Sequence, residues 1–433
     1  MYVLVRSTYK VLANYRPIAI SSIFGKIFET IIKNRLETYF NKYKLLSPQQ
    51  FGFRSGYGTS QALSAIVNFV ADGFDQHIYT SATLLDLHKA FDTMSHDILI
   101  GKLECYGVRG LPLELLTSFL TTRSQFVVCG NSVSSLLPCS FGVPQGSVLG
   151  PLLFLIFTND FPHGIGAYQS VLYADDTTLL ISGSTRDELE SGVPGAESSA
   201  SEWLIANKLK LNNDKTQRIS FFTTNGTEHV GLLGVRIDQS LRWKHHIEFL
   251  AAKLSTSLFA LRRLRSCLST VALISAYYSI VHSHLTYAVT LWGNSVHSPI
   301  VFRLQKRAIR IIMRFGPRDS CRDAFKQLKI LTLPCLFIFY TIIGIHDKAD
   351  DYVRHSAFHQ YNTRFCDNLV SLRSRTRIAS LNRPNLNLYN ILPSAVKNLP
   401  RPKFRSTLRI FLSSHSFYSI EEYRAGVHEC LVG

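Results

Sequence analysis

Two adjacent carboxylates, Asp175 and Asp176, interrupt the otherwise apolar and β-prone run 171-VLYADDTTLLISG-183. Burying one ionised carboxylate without compensation is expensive, and a second beside it adds like-charge repulsion, so the pair implies a positive partner. A third acid, Asp86, closes the short apolar strand 82-ATLLDL-87. If that strand shares one antiparallel sheet with the two strands flanking Asp175 and Asp176, all three carboxylates come to one edge. Three carboxylate donors, with His88 the one histidine close to them in sequence, suit Mg²⁺ rather than zinc. Two such ions about 3.5–4 Å apart clamp an in-line phosphoryl displacement, one activating the attacking hydroxyl and the other stabilising the leaving oxygen.

The elements that must carry these acids are marked by pattern. Residues 21–46 space Ile23, Ile27 and Ile31 between basic residues and predict an amphipathic helix after the extended 14-NYRPIAI-20. A second helix is expected over 59–74, closed near Gly73. The helix after Asp86 has Ser95 as N-cap, Asp97 in its first turn and Gly107 as C-terminal stop. Pro112 opens the next one. Residues 125–139 predict a hairpin around Gly130-Asn131, and the glycine-punctuated loop 142-GVPQGSVLG-150 leads into apolar LLFLIF.

Composition narrows the partner. The 433 residues are 46% apolar, ample for real cores, and carry a formal net charge of +17. Lysine and arginine seldom go inside unpaired, so the surface is strongly basic and its natural partner is a polyanion. Nucleic acid comes first and an anionic membrane surface second. The eight cysteines show no CxxC pair or zinc-knuckle spacing and read as reduced thiols of an intracellular protein. The opening MYVLVRSTYK lacks the apolar stretch of a signal peptide. The run 330-ILTLPCLFIFYTIIGI-345 falls short of the roughly 20 residues of a span and contains Pro334 and Gly344, which favours a buried helix over a membrane crossing.

From about residue 240 the chain turns to long helices with basic faces. In 302-FRLQKRAIRIIMRF-315, Arg303, Arg307, Arg310 and Arg314 fall on one side and Leu304, Ala308, Ile311 and Phe315 on another. Such a helix could lie along a phosphate backbone or simply present a solvated basic face. His355 and His359, at i and i+4 with Cys366 downstream, lack a fourth ligand at a usual zinc spacing.

Eight ordered segments carry a resemblance: 14-NYRPIAISS-22, 50-QFGFRSGYGTSQAL-63, 85-LDLHKAFDTMSHDIL-99, 142-GVPQGSVLGPLLFLIFTND-160, 172-LYADD-176, 203-WLIANKLKLNNDKT-216, 232-LLGVRID-238 and 241-LRWKHHI-247. Together they resemble the reverse transcriptase of non-LTR (LINE-type, jockey-like) retrotransposons. The resemblance implies an α+β right-hand polymerase: fingers, a palm of antiparallel sheet and helices, and a helical thumb, followed by a mostly helical C-terminal region. It assigns residues 1–235 to fingers and palm, 236–315 to a thumb-like region and 316–433 to the C-terminal part.

Carried onto this chain, the family pattern makes Asp86 and Asp175 the principal ligands of two Mg²⁺ ions, with Mn²⁺ as an alternative and Asp176 as the further acid. Phe91 matches the bulky aromatic that a ribose 2′-hydroxyl would strike, which implies a preference for dNTPs. Gln145 and Gly146 match the motif that meets the incoming nucleotide or template, and Arg16 the fingers arginine that meets the triphosphate. Lys215 is implied as general acid toward the departing pyrophosphate, and Arg54 as a template or primer contact. Asp92, just past the apolar strand, reads as a turn organiser rather than a ligand.

The implied activity is RNA-directed DNA synthesis on an RNA template from a DNA primer, in nucleus and cytoplasm, with no membrane involved and the oligomeric state unread. Family members carry a longer segment before NYRPI, so the chain reads as a truncated copy or partial reading frame. Its alternative function is therefore that of a remnant that only binds nucleic acid. The Gly56-Tyr57-Gly58-Thr59 sequence also departs from the family's usual glycine-x-serine-threonine.

Overall fold

Short β-prone runs, 79-YTSATLL-85 and 176-DTTLLISG-183, buried along most of their length, give two paired strands at the centre of a four-stranded sheet in the computed structural model. The structure describes residues 2–4, 15–17, 19, 21–126, 128–129, 131–223, 226–357, 366–371 and 374–430. The chain divides into two compact units, Met1–Ile66 with Tyr79–Ser220, and Val67–Ile78 with Phe221–Gly433. The fold is α+β.

In the first unit the sheet is built from β1 (Tyr79–Leu85), β2 (Gln169–Tyr173), β3 (Asp176–Gly183) and β4 (Gln217–Phe221), in the spatial order β4-β1-β3-β2. β3 runs antiparallel to both β1 and β2. Helix α1 (Ile23–Lys42) and helix α2 (Thr59–Gln76) precede β1 in the chain. Helix α3 (Gly150–Thr158) is apolar all round and buried all round, with Leu153, Phe154, Ile156 and Phe157 inaccessible to solvent. Helix α4 (Arg186–Ala206) packs Leu189, Val193, Ala196, Ala200 and Leu204 into the same core, and Thr185 caps its first turn by accepting from the Glu188 N–H.

Local signals were followed with three exceptions. α2 runs through Gly73 to Gln76, because Val67, Val70, Ala71 and Phe74 are buried, and that burial outweighs the roughly 1 kcal/mol cost of a helical glycine. Ser95 occupies the N-cap of the His96–Cys105 helix, yet its hydroxyl makes no capping bond. Gly107 does end that helix, at φ +90°. The expected hairpin forms as two short ladders, Ser124–Gln125 with Leu137–Pro138 and Val128–Cys129 with Ser132–Val133, and its turn residue Gly130 lies outside the described residues.

The second unit opens with a tight hairpin, His229–Leu232 against Val235–Asp238, whose two loop residues, Leu233 and Gly234, both take positive φ. Helices α5 (Lys244–Leu264), α6 (Pro299–Met313) and α7 (Leu333–His346) follow. α7 contains most of the long apolar run, and ten of its residues, including Leu336, Ile338 and Ile342, are buried. Among the described residues no single helix is long and apolar enough to cross a membrane. Buried Gln305 ties α6 to the start of α7: its Nε2 donates to the Leu331 carbonyl and its Oε1 accepts from Leu333 N–H. α6 and α7 lie in the same compact unit. The six described cysteines with placed side chains are free thiols.

Candidate active site

Strand register brings the acids together. Thr177 of β3 stands opposite Leu85 of β1 on one side and Leu172 of β2 on the other. Asp86, one step beyond Leu85, thus leaves the sheet at the end where β2 turns into β3. Tyr173 pairs with Asp176, which leaves Ala174 and Asp175 as the two-residue loop. Ala174 takes φ +58°, a region where L-residues other than glycine are uncommon.

That hairpin is held from outside by residues 49–52, of which 50–52 open one of the resembling segments but were given no such role from sequence. Gln50 bridges in parallel to Leu172, Phe51 N–H donates to the Leu172 carbonyl at 2.8 Å, and Gln49 accepts the Leu172 N–H at 2.9 Å. The buried Gln50 side chain then accepts through Oε1 from Gly52 N–H (2.9 Å) and Ala174 N–H (3.3 Å). Gly52 lies so close that a Cβ there would run into the Tyr173–Ala174 peptide. A polar side chain that reaches a backbone more than a hundred residues away leaves no local pattern to read.

Asp86 is gripped by the segment before β4. Leu87 and Leu211 form an antiparallel bridge, and Asn212 N–H donates to the Asp86 carbonyl at 2.8 Å. Asn212 Nδ2 and Lys215 Nζ both donate to Asp86 Oδ2, at 2.8 and 3.1 Å. Asn212 is a second residue missed in the sequence. Asp176 reaches solvent, yet the protein crowded around it, then the charge of Asp175, then that of Asp86, push its carboxyl up to about 6. The three acids are thus within electrostatic reach of one another. With Asp86 turned to Asn212 and Lys215, no three acidic, histidine or cysteine groups among the described residues stand ready to hold one ion.

Beside the acids, the short Ala90–Thr93 helix sets Phe91 on Phe154 of α3, ring centroids 4.4 Å apart and nearly parallel, with Phe53 edge-on at 6.2 Å. Asp92 Oδ1 accepts from Gln145 Nε2 at 2.9 Å, so Asp92 organises the 142–147 loop. Gly142, at φ +75°, has no room for a Cβ against the Asp92 backbone. Gly146, at φ +104°, needs glycine for its backbone alone. The loop ends on α3, where buried Glu29 of α1 accepts from Val148 and Leu149 N–H groups at 2.6 and 3.1 Å.

The remaining candidates are placed less directly. Arg54 donates through one guanidinium nitrogen to the carbonyls of Ser47 and Gln50 and lies 4.4 Å over the Tyr57 ring, so at least part of it braces the hairpin support. The backbone of Arg16 pairs with Val3, and its side chain lies outside the described residues. On α6, Arg303 and Arg307 are exposed. Arg310 donates to the Asp319 carbonyl, and Arg314 is the C-cap at φ +59°. The four-arginine stripe is thus shorter than its spacing predicts, because the helix ends at Met313 and turns Arg314 off it. His359 of the histidine-cysteine trio lies outside the described residues.

A family profile described as "Reverse transcriptase (RNA-dependent DNA polymerase)" matches residues 8–254. The chain belongs to that family, and its relatives are polymerases of jockey-like non-LTR retrotransposons. It is 31% identical over 69% of its length to the "Probable RNA-directed DNA polymerase from transposon BS" of Drosophila melanogaster, covering 36% of that protein. It is 29% identical over 73% of its length to the "RNA-directed DNA polymerase from mobile element jockey" of the same species, covering 37%. The chain therefore spans little more than a third of the curated relatives it matches. Among solved structures, apo telomerase from Candida tropicalis aligns over 69% of this chain and 53% of its own at a TM-score of 0.44 and 13% identity. Reverse transcriptases generally use divalent metal ions.

Proposed function

We propose that this chain is an RNA-directed DNA polymerase that adds dNTPs to the 3′-hydroxyl of a DNA primer along an RNA template. The observation that carries this reading is the register that sends Asp86, Asp175 and Asp176 out at one end of one sheet. Asp86 and Asp175 are the residues that would hold two Mg²⁺ or Mn²⁺ ions, with Asp176 as the further acid, and their hard oxygen donors fit such cations. When bound, these ions supply Lewis acidity to the attacking hydroxyl and the leaving phosphate oxygen.

The protein's own residues shape the substrate. Phe91, fixed by Phe154, presents a rigid wall to the sugar, so a ribose 2′-hydroxyl is excluded by contact. The Asp92 bond orients Gln145 and its loop, and Gly146 lets that loop's backbone approach the nucleotide. Arg16 meets the triphosphate, while Arg54, Arg303, Arg307, Arg310 and Arg314 contribute positive charge toward nucleic acid, with Arg303, Arg307 and Arg314 exposed.

Primer extension on poly(rA)/oligo(dT) tests the reading. Incorporation of dTTP that needs a divalent cation and disappears in Asp175→Ala supports it. Salt-sensitive nucleic-acid binding without incorporation would instead identify a binding remnant.

A further inference from the structure

Behind the acid-bearing strand ends lies a cavity of about 310 Å³, between α4 and the 211–216 segment, in the size range of small-molecule sites. Leu85, Leu204 and Leu211 supply its apolar wall, and Glu197, Ser201 and Asn213 line its polar side. Glu197 and Ser201 sit one turn apart on α4. Glu197 Oε1 accepts from Thr83 Oγ1 at 3.2 Å. Among the described residues no lysine, arginine or histidine pairs with Glu197, although the chain has 47 lysines and arginines against 30 acids. The side chains of Ser201 and Asn213 likewise make no hydrogen bond among the described residues.

A carboxylate with no cationic partner, a hydroxyl and an amide that no described protein group engages, and an apolar wall in one cavity define a ligand by chemistry: a small primary ammonium compound with an apolar body. We propose that this cavity binds such an amine and that occupancy shifts the grip on Asp86. The coupling route is short. Leu211 and Thr216 line the cavity, while Asn212 and Lys215, in the same segment, hold the Asp86 carboxylate, and Thr216 Oγ1 donates to the Asn212 carbonyl at 3.1 Å. Leu85, on the cavity wall, is the residue before Asp86. The binding half stands on the cavity alone; the consequence for synthesis rests on the proposed polymerase reading.

The probe is 2-phenylethylammonium, titrated into the full chain by calorimetry, with 2-phenylethanol as the neutral compound of the same shape. Saturable binding of the ammonium is expected, weakened about tenfold by Glu197→Gln and abolished by Ser201→Leu, which fills the cavity from its rim. Should Ser201→Leu melt below the wild type, Asn213→Leu serves at the exposed lip. Equal affinity for the alcohol, or unchanged ammonium affinity in these variants, overturns the site. Coupling is read as a change of about fivefold in Mn²⁺ affinity, measured by electron paramagnetic resonance with and without the ammonium. Ammonium binding that leaves Mn²⁺ affinity unchanged overturns the coupling. A wild-type chain that incorporates no nucleotide sinks the polymerase reading, while the calorimetric and Mn²⁺ results still decide this proposal.

Discussion

Lys215 Nζ stands 3.1 Å from Asp86 Oδ2, so the residue expected at the departing pyrophosphate is bonded to the acid expected at the metal. Both side chains are partly open to water, and an exposed pair of this kind contributes little to stability. Lys215 can therefore exchange this contact for another anion at small cost. Lys215→Met should leave the melting temperature nearly unchanged and lower single-turnover incorporation by about 100-fold, the effect of losing a general acid. Mn²⁺ binding should be retained or strengthened, because the competing ammonium is gone. A variant that loses Mn²⁺ binding as well would show that Lys215 positions Asp86 instead.

Asp176 carries the pH dependence of the acid cluster. Its carboxyl is raised to about 6 in the folded protein, above its ordinary value, so folding favours the protonated form. The sign follows: in metal-free protein, stability falls as pH rises from the ordinary carboxylate range to about 6, and the penalty stays constant above that. Titration by carboxyl-observed NMR should give an apparent value near 6 for Asp176. Asp175→Asn should lower it by removing a neighbouring negative charge. An unmoved titration in Asp175→Asn would mean that crowding and the charge of Asp86 set it without Asp175.

Much of this site was legible because its signals are local. Apolar runs flanking Asp86 and Asp175-Asp176 mark strands with an acid at their end, and strand ends in one sheet have few ways to meet. Asp92 could be read as a turn organiser because it falls past the strand, and it holds Gln145. Gln50, Gly52, Asn212 and Glu29 were not legible as supports, since each acts on backbone far along the chain. The limits of helices failed for a related reason: burial carried α2 past Gly73, and a left-handed cap turned Arg314 away from its stripe.

Gly52 sits where only a hydrogen can pass the Tyr173–Ala174 peptide. Adding a methyl group must push the hairpin that carries Asp175, while the sheet behind it keeps its pairing. Gly52→Ala should therefore reduce incorporation far more than stability, with an overpacking cost of about 1–3 kcal/mol in denaturant unfolding. The companion Gln50→Leu removes the acceptor for Gly52 and Ala174 N–H groups and should act in the same direction. Full incorporation by Gly52→Ala would show that the position of this loop is not critical.

The second unit has its own acid-labile point at His246. This buried ring lies near Trp243 and Trp292, and its Nδ1 faces the Arg236 N–H at 3.4 Å, an arrangement that requires the neutral imidazole. Burial first, then the charges of Lys253 and Arg236, lower it to about 4. A histidine depressed in the folded state contributes stability that is complete above its ordinary value and is lost as pH falls toward 4. The loss from this one group should be on the order of 3 kcal/mol across that window. His246→Gln keeps an acceptor for the Arg236 N–H and carries no titratable proton, so its unfolding free energy should fall less steeply between pH 6.5 and 4 than that of the wild type. Parallel pH profiles for the two proteins, measured by urea unfolding, would place the acid sensitivity elsewhere.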